Sequence, residues 1–399
     1  MEMTSLTYKS LIRQVRDGTV LEQTIDEAVR RILRMKFKLG LFEHPYTDPE
    51  LQNTEYLKNN HITLARKMAR ESMVLLKNEN GVLPINENIK SIAVVGPYAN
   101  SYDQLGWWSS LGHQKDVVTV TCGIRNRAKD KFQITDKIDE KTDLVILCVG
   151  EESRLFGENN CRSTLKLPHS QESFVDSIVK KGKPVVLIIF NGRPLDLTGV
   201  ESRANAILIA WHPGIEGGNA VADILFGDYN PSGKLTTSFP RSIGQIPVYY
   251  NHRRSGRPQH NKYVDEKAEP LYPFGYGLSY TTFEYSNLKL SSDKIKASQS
   301  LEVSATIQNT GTVAGCEVVQ LYIQDVSGST SRPVKELKGF KKILLQPGEK
   351  KKVMFELGPT HLSMLDINMK WTVEPGKFYG WVGPDSKRGL VGTFEVVKE

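Results

Sequence analysis

The residues best placed to do chemistry lie in the run Gly150-Glu151-Glu152-Ser153-Arg154-Leu155-Phe156-Gly157-Glu158-Asn159-Asn160-Cys161-Arg162-Ser163. It holds three carboxylates and two arginines, and it follows an apolar stretch over 144–149 that reads as a buried parallel strand. Open α/β sheets bind ligands at the carboxyl edge of such strands. A carboxyl group shielded from water there has its pKa raised and can serve as a general acid. Glu158 is one such carboxyl group. The competing reading is a solvated acidic loop neutralised by Arg154 and Arg162, since Glu and Arg in loops are mostly surface residues.

Other groups carry weaker signals. Trp107 and Trp108 lie between Gly106 and Gly112. Indole faces stack on the apolar faces of sugar rings, while core packing is the alternative. Arg162 and Arg193 could position hydroxyls or hold a carboxylate charged. His169 after Pro168 and His212 before Pro213 read as turn residues. Gly214-Ile215-Glu216-Gly217-Gly218 fits neither a dinucleotide fingerprint nor a phosphate loop, so it reads as a strand-to-helix turn with Glu216 as a second-rank carboxylate. Cys161 is a weak nucleophile candidate, Cys148 reads as buried, and no spacing suggests zinc.

The elements that must position these groups follow from periodicity. Ile92-Ala93-Val94-Val95, 144–147, 185–189 and 206–210 are short apolar runs rich in β-branched residues, the pattern of strands buried on both faces. A helical pattern at 171–180 lies between two of them, which implies βαβ units and a mostly parallel sheet. Each run ends in a polar, glycine-containing loop. Those loops, including Asn191-Gly192-Arg193-Pro194 and Trp211-His212-Pro213-Gly214, should converge on one edge.

Upstream, two helices are expected in the first forty residues. The second would be capped by Thr24 with Glu27, carry Ile25, Val29, Ile32, Leu33 and Phe37 on one face, and end at Gly40. That face needs a partner beyond the two helices. Ile62, Ala65, Met68, Ala69, Met73 and Leu76 show helical spacing up to Asn80-Gly81. Downstream, prolines punctuate an irregular stretch, of which 251–261 is basic and polar. From Ser286 clean alternation (Leu301/Val303/Ala305/Ile307, Val319/Leu321/Ile323, Val353/Phe355/Leu357) argues a β-sandwich, closer to fibronectin type III than to immunoglobulin because the Cys-Trp-Cys pattern is missing.

The chain has 399 residues and a formal net charge of +7, enough length for two or three domains. The clusters Lys341-Lys342 and Lys350-Lys351-Lys352 read as solvated faces, so no nucleic-acid partner is expected. Four cysteines are too few for a disulfide scaffold. No apolar run is long enough to span a membrane, and Met1-Glu2-Met3-Thr4-Ser5 lacks the basic start and apolar core of a signal peptide.

Ordered motifs now accumulate. Ile25-Asp26-Glu27-Ala28-Val29-Arg30-Arg31-Ile32-Leu33 precedes Gly40-Leu41-Phe42, and Glu71-Ser72-Met73-Val74-Leu75-Leu76-Lys77-Asn78 precedes Leu83-Pro84. Val94-Val95-Gly96-Pro97, His212-Pro213-Gly214, Asp228-Tyr229-Asn230-Pro231-Ser232-Gly233-Lys234-Leu235 and Tyr272-Pro273-Phe274-Gly275-Tyr276-Gly277-Leu278-Ser279-Tyr280 follow, then Arg332-Pro333 and Glu336-Leu337-Lys338-Gly339-Phe340. Over nearly its whole length the chain resembles the C-terminal part of a three-domain glycoside hydrolase family 3 β-glucosidase.

The resemblance implies the remnant of a (β/α)8 barrel over 1–45, a linker over 46–60, an α/β sandwich domain over 61–240, a connector over 241–285 and a fibronectin III-like domain over 286–399. It implies retaining exo-hydrolysis of terminal β-glucosides or oligosaccharides, with β-xylosidase or a non-catalytic carbohydrate-binding protein as alternatives. Glu158 would be the acid/base, with Trp107, Trp108 and Arg162 at the sugar. No metal or other cofactor is called for. The nucleophile matches no residue here. The expectation is a partial chain with little activity alone, whose missing partner is the barrel and whose complete parent would suit a periplasmic or extracellular setting.

Overall fold

The computed structural model describes residues 7–109, 112–129, 131–254 and 263–398, and the chain divides into two compact units between His61 and Ile62. In the first unit α1 spans Leu11–Arg16 and α2 spans Glu22–Lys38. The expected capping box is not formed. The helix starts ahead of it, with Leu21 as N-cap and no side-chain cap, and Thr24 lies inside the first turn. Glu22 in that turn answers the helix dipole instead. The far end is as expected. Gly40 adopts φ +65°, and Leu41 N donates to Lys36 O, the closure that a left-handed glycine permits. Val29, Ile32, Leu33 and Phe37 remain exposed on α2. A short helix, α3 (Leu51–Glu55), interrupts the stretch read as a linker.

The second unit takes up α4 (Asn59–Ser72) from Ile62 onward. Arg66 and Arg70 of this helix pair with buried Asp223. The helical spacing read through Met73 and Leu76 is overturned here. The helix stops at Ser72, and Val74–Asn78 forms β1. A short apolar run buried on both faces cannot be told from a buried helix by periodicity. What decides it is an antiparallel partner more than a hundred residues away in sequence, β6 (Ala206–Ile209).

The remaining strands are β2 (Ser91–Val95), β3 (Gln133–Thr135), β4 (Leu144–Gly150) and β5 (Val185–Phe190), in the order β1-β6-β5-β4-β2-β3. From β6 to β3 all neighbours are parallel. One face packs on α5 (Val120–Ala128) and α8 (Gly217–Leu225), the other on α6 (Gln171–Val179) and α7 (Thr198–Glu201). The chain passes from β2 outward to β3 and then back to β4. The strand order therefore reverses between β2 and β4, where such sheets open a crevice at their carboxyl edge.

The β-sandwich begins at Phe283, slightly ahead of the expected Ser286. Its strands are β7 (Phe283–Leu290), β8 (Lys294–Lys296), β9 (Leu301–Asn309), β10 (Gly315–Asp325), β11 (Glu336–Leu345), β12 (Lys350–Leu357), β13 (Met364–Leu365), β14 (Trp371–Thr372), β15 (Gly376–Gly383) and β16 (Leu390–Val397). The order β12-β9-β7 faces the order β11-β10-β15-β16-β8. Leu301, Val303, Ala305 and Ile307 meet Val319, Leu321 and Ile323 in the core between them, as the alternation implied. Most of the basic stretch 251–261 lies outside the described residues.

Candidate active site

Four parallel strand ends build the site. At the end of β2, Gly96 has φ +104°, and a Cβ there would sit 2.2 Å from the carbonyl oxygen of Cys148 on β4. Only glycine lets the chain turn so close to its neighbour. Beyond this turn Tyr98 stacks on Phe190 at the end of β5, with ring centroids 5.0 Å apart. The loops after β2, β4, β5 and β6 do converge.

The three carboxylates of the loop after β4 have three different fates. Glu151 is 0% exposed and lies between two guanidinium groups. Arg162 Nη1 pairs with its Oε1, and Arg193 donates to it from Nη2 at 2.9 Å and from Nε at 3.2 Å. Glu152 fits the solvated reading: it pairs with Arg154, with His169 Nε2 at 3.4 Å, and Arg154 beside it holds its carboxyl below the usual range. Glu158 is exposed, and its carboxylate makes no hydrogen bond or ion pair with the described residues; only its carbonyl accepts, from Asn160.

What Glu158 lacks in contacts its neighbours supply. Ser153 N donates to Asp103 Oδ2 at 2.8 Å. Phe156 stacks on His212 with centroids 4.7 Å apart. Gly157 has φ +102°, and a Cβ on it would fall 2.4 Å from Trp107 Cδ1. The glycine therefore lies flat against the indole, and the loop bearing Glu158 rests on the loop bearing the tryptophans. Trp107 is 43% exposed and Trp108 72%. The core-packing reading of the pair does not hold. Arg162, expected at the sugar, has its guanidinium on Glu151 and on Lys166 O.

Sequence reasoning missed Asp103 and did not single out Glu151. The one available signal for Glu151 was its position directly after the strand glycine. Arg193, read as able to contact a carboxylate, donates to the buried Glu151. Cys161 is exposed, whereas Cys148 is buried and its thiol pKa is pushed up by that burial. Among the described residues no His, Cys, Asp and Glu form a group able to hold a metal ion, and no helix is long and apolar enough to cross a membrane.

His212 underlies both loops. Burial lowers the pKa of its imidazole, against the opposing pull of Asp103 and Glu151. In the unfolded chain the ring takes a proton near pH 6.5 or so. Below about that pH the unfolded state binds more protons, so the stability contributed by the neutral ring is complete above it and declines as pH falls toward the lower folded value. The wild-type melting temperature is expected to fall more steeply below about pH 6.5 than that of His212→Asn. Parallel curves would remove the imidazole from this role.

The carboxyl edge of the parallel strands thus carries an exposed carboxylate and two partly exposed indoles. Residues 73–280 match the glycosyl hydrolase family 3 C-terminal domain, and residues 317–386 match a fibronectin type III-like domain. The chain belongs to glycoside hydrolase family 3 and corresponds to the C-terminal part of its β-glucosidases. It is 42% identical to the periplasmic β-glucosidase of Salmonella typhimurium, over 96% of this chain and 57% of that protein. It is 40% identical to a β-xylosidase of Formosa agariphila, over 92% of this chain and 54% of that one. A mutant β-glucosidase of Listeria innocua, solved in complex with laminaribiose, matches with a TM-score of 0.90 at 39% identity, covering 99% of this chain and 58% of that one. The chain spans a little over half the length of these relatives.

Proposed function

We propose that this chain supplies the acid/base side of a retaining, exo-acting β-glucosidase site. The observation that carries the reading is Glu158, an exposed carboxylate with no partner among the described residues, on a loop braced against the partly exposed Trp107. In the retaining mechanism one carboxyl protonates the leaving oxygen while the other attacks the anomeric carbon, and the two stand about 5–5.5 Å apart. Glu158 donates the proton to the leaving group, then takes one from the water that releases the glycosyl-enzyme. Trp107 and Trp108 offer their ring faces to the sugar.

The nucleophile belongs to a (β/α)8 barrel outside these residues. Residues 1–45 are part of that barrel, 46–60 link it to the α/β domain of 61–240, and the connector 241–285 leads to the sandwich of 286–399. The relatives include a β-glucosidase and a β-xylosidase, and glucose is the favoured sugar here because most of the similar proteins bear that name.

The test joins the chain to a family barrel. The 399-residue chain alone is expected to leave aryl β-glucosides intact, and the joined protein to hydrolyse them with retention of configuration. Tight glucoside binding with no turnover in the joined protein would favour a non-catalytic carbohydrate-binding role and end the enzymatic reading.

A further inference from the structure

We propose that Glu151, Arg162 and Arg193 form a clasp that positions the loop carrying Glu158. This role rests on the acid/base reading above. The segment between β4 and α6 runs from 151 to 170 and contains a single 3-10 turn, Ser153–Leu155. Segments of this length without regular structure are functional or mobile unless something ties them down. The Glu158 carboxylate makes no hydrogen bond or ion pair with the described residues, so its location is set by the backbone on either side.

On the far side the clasp sets that backbone. Arg162 and Arg193 both bind the buried Glu151, and their remaining N–H groups reach back to the same loop. Arg162 Nη2 donates to Lys166 O at 3.2 Å, and Arg193 Nη2 donates to Thr164 O at 2.8 Å. One carboxylate at the first residue of the loop thus gathers its returning limb, and Arg193 fastens both to the end of β5. On the near side Phe156 and Gly157 are braced by His212 and Trp107. Glu158 is left on a short span between two fixed points.

Stability alone does not ask for charges here. A buried ion triad can often be replaced by apolar side chains without loss. What charged forks add is direction, because each guanidinium offers several N–H groups in a rigid plane. Glu152 and Arg154, a pair in the same loop whose arginine is exposed, bind each other, and among the described residues neither side chain ties down a backbone carbonyl.

Arg162→Lys and Arg193→Lys keep the charge and lose the fork. In the 399-residue chain, hydrogen exchange of amides 152–161 is expected to quicken by about tenfold or more, while β4, β5 and the melting temperature hold. In the barrel-joined protein the same variants are expected to lose about 10²-fold in kcat/KM on glucosides with poor leaving groups. The loss should be smaller where the leaving group needs no protonation, and absent in a Glu158→Gln background. Unchanged exchange in the loop overturns the clasp. So does a general loss of protection across the sheet, which would make the triad a prop of the fold and not of the loop. If the exchange result holds but Glu158→Gln shows no dependence on the leaving group, the acid/base reading fails and the clasp survives it.

Discussion

Glu158→Gln, in the chain joined to its barrel, is expected to lower kcat by about 10²–10⁴-fold on alkyl or disaccharide β-glucosides. Glutamine keeps the size of the side chain and its place beside Gly157, but it has no proton to give. The sugar still reaches the nucleophile, so KM should change far less than kcat. With a dinitrophenyl leaving group, which departs without a proton, the first step should be nearly spared and the glycosyl-enzyme should accumulate, because the same residue must then activate water. A burst of dinitrophenolate before a slow steady state is the expected trace. Equal losses on both substrate types, with no burst, would mean that Glu158 takes no part in proton transfer.

That the carboxylates of this loop would sit at the carboxyl edge of a parallel sheet was legible from residue types alone; which of them would be buried was not. Glu151, Glu152 and Glu158 look alike in sequence, and their differences come from partners elsewhere. Glu151 is buried because Arg193 arrives from the end of β5 to meet it. Glu152 is tied locally to Arg154. Glu158 was singled out by resemblance to the family, not by its composition or spacing. The parallel strands were readable because 144–147 and 185–189 are too short, too apolar and too β-branched for surface helices. Val74–Asn78 was misread for the complementary reason: its strand character depends on pairing with Ala206–Ile209, which no local pattern encodes. Thr24 failed as a cap because Glu22 and Gln23 before it already favour helix.

The junction between the α/β domain and the sandwich hangs on a second buried carboxylate. Glu317 of β10 accepts from the Tyr285 phenol at 2.8 Å and pairs with Lys234 at 3.3 Å; the carboxylate is buried and the lysine side chain mostly so. Lys234 Nζ also donates to Gly277 O at 2.9 Å, so the ammonium bridges the α/β domain to the sandwich. Burial, with the charge of Glu317 second, pushes the Tyr285 phenol pKa far up, so it stays a donor. Glu317→Leu leaves the ammonium without its counter-charge in a mostly buried site. Breaking a buried pair in this way costs about 3–5 kcal/mol. Because the pair spans two modules, the loss is expected to appear in calorimetry as separation of a single thermal transition into two, with the sandwich melting first. Adding Lys234→Met removes the stranded charge and should recover most of the loss. If Glu317→Leu melts as the wild type does, the sandwich is held by its apolar contacts alone, and the ion pair is incidental to the junction.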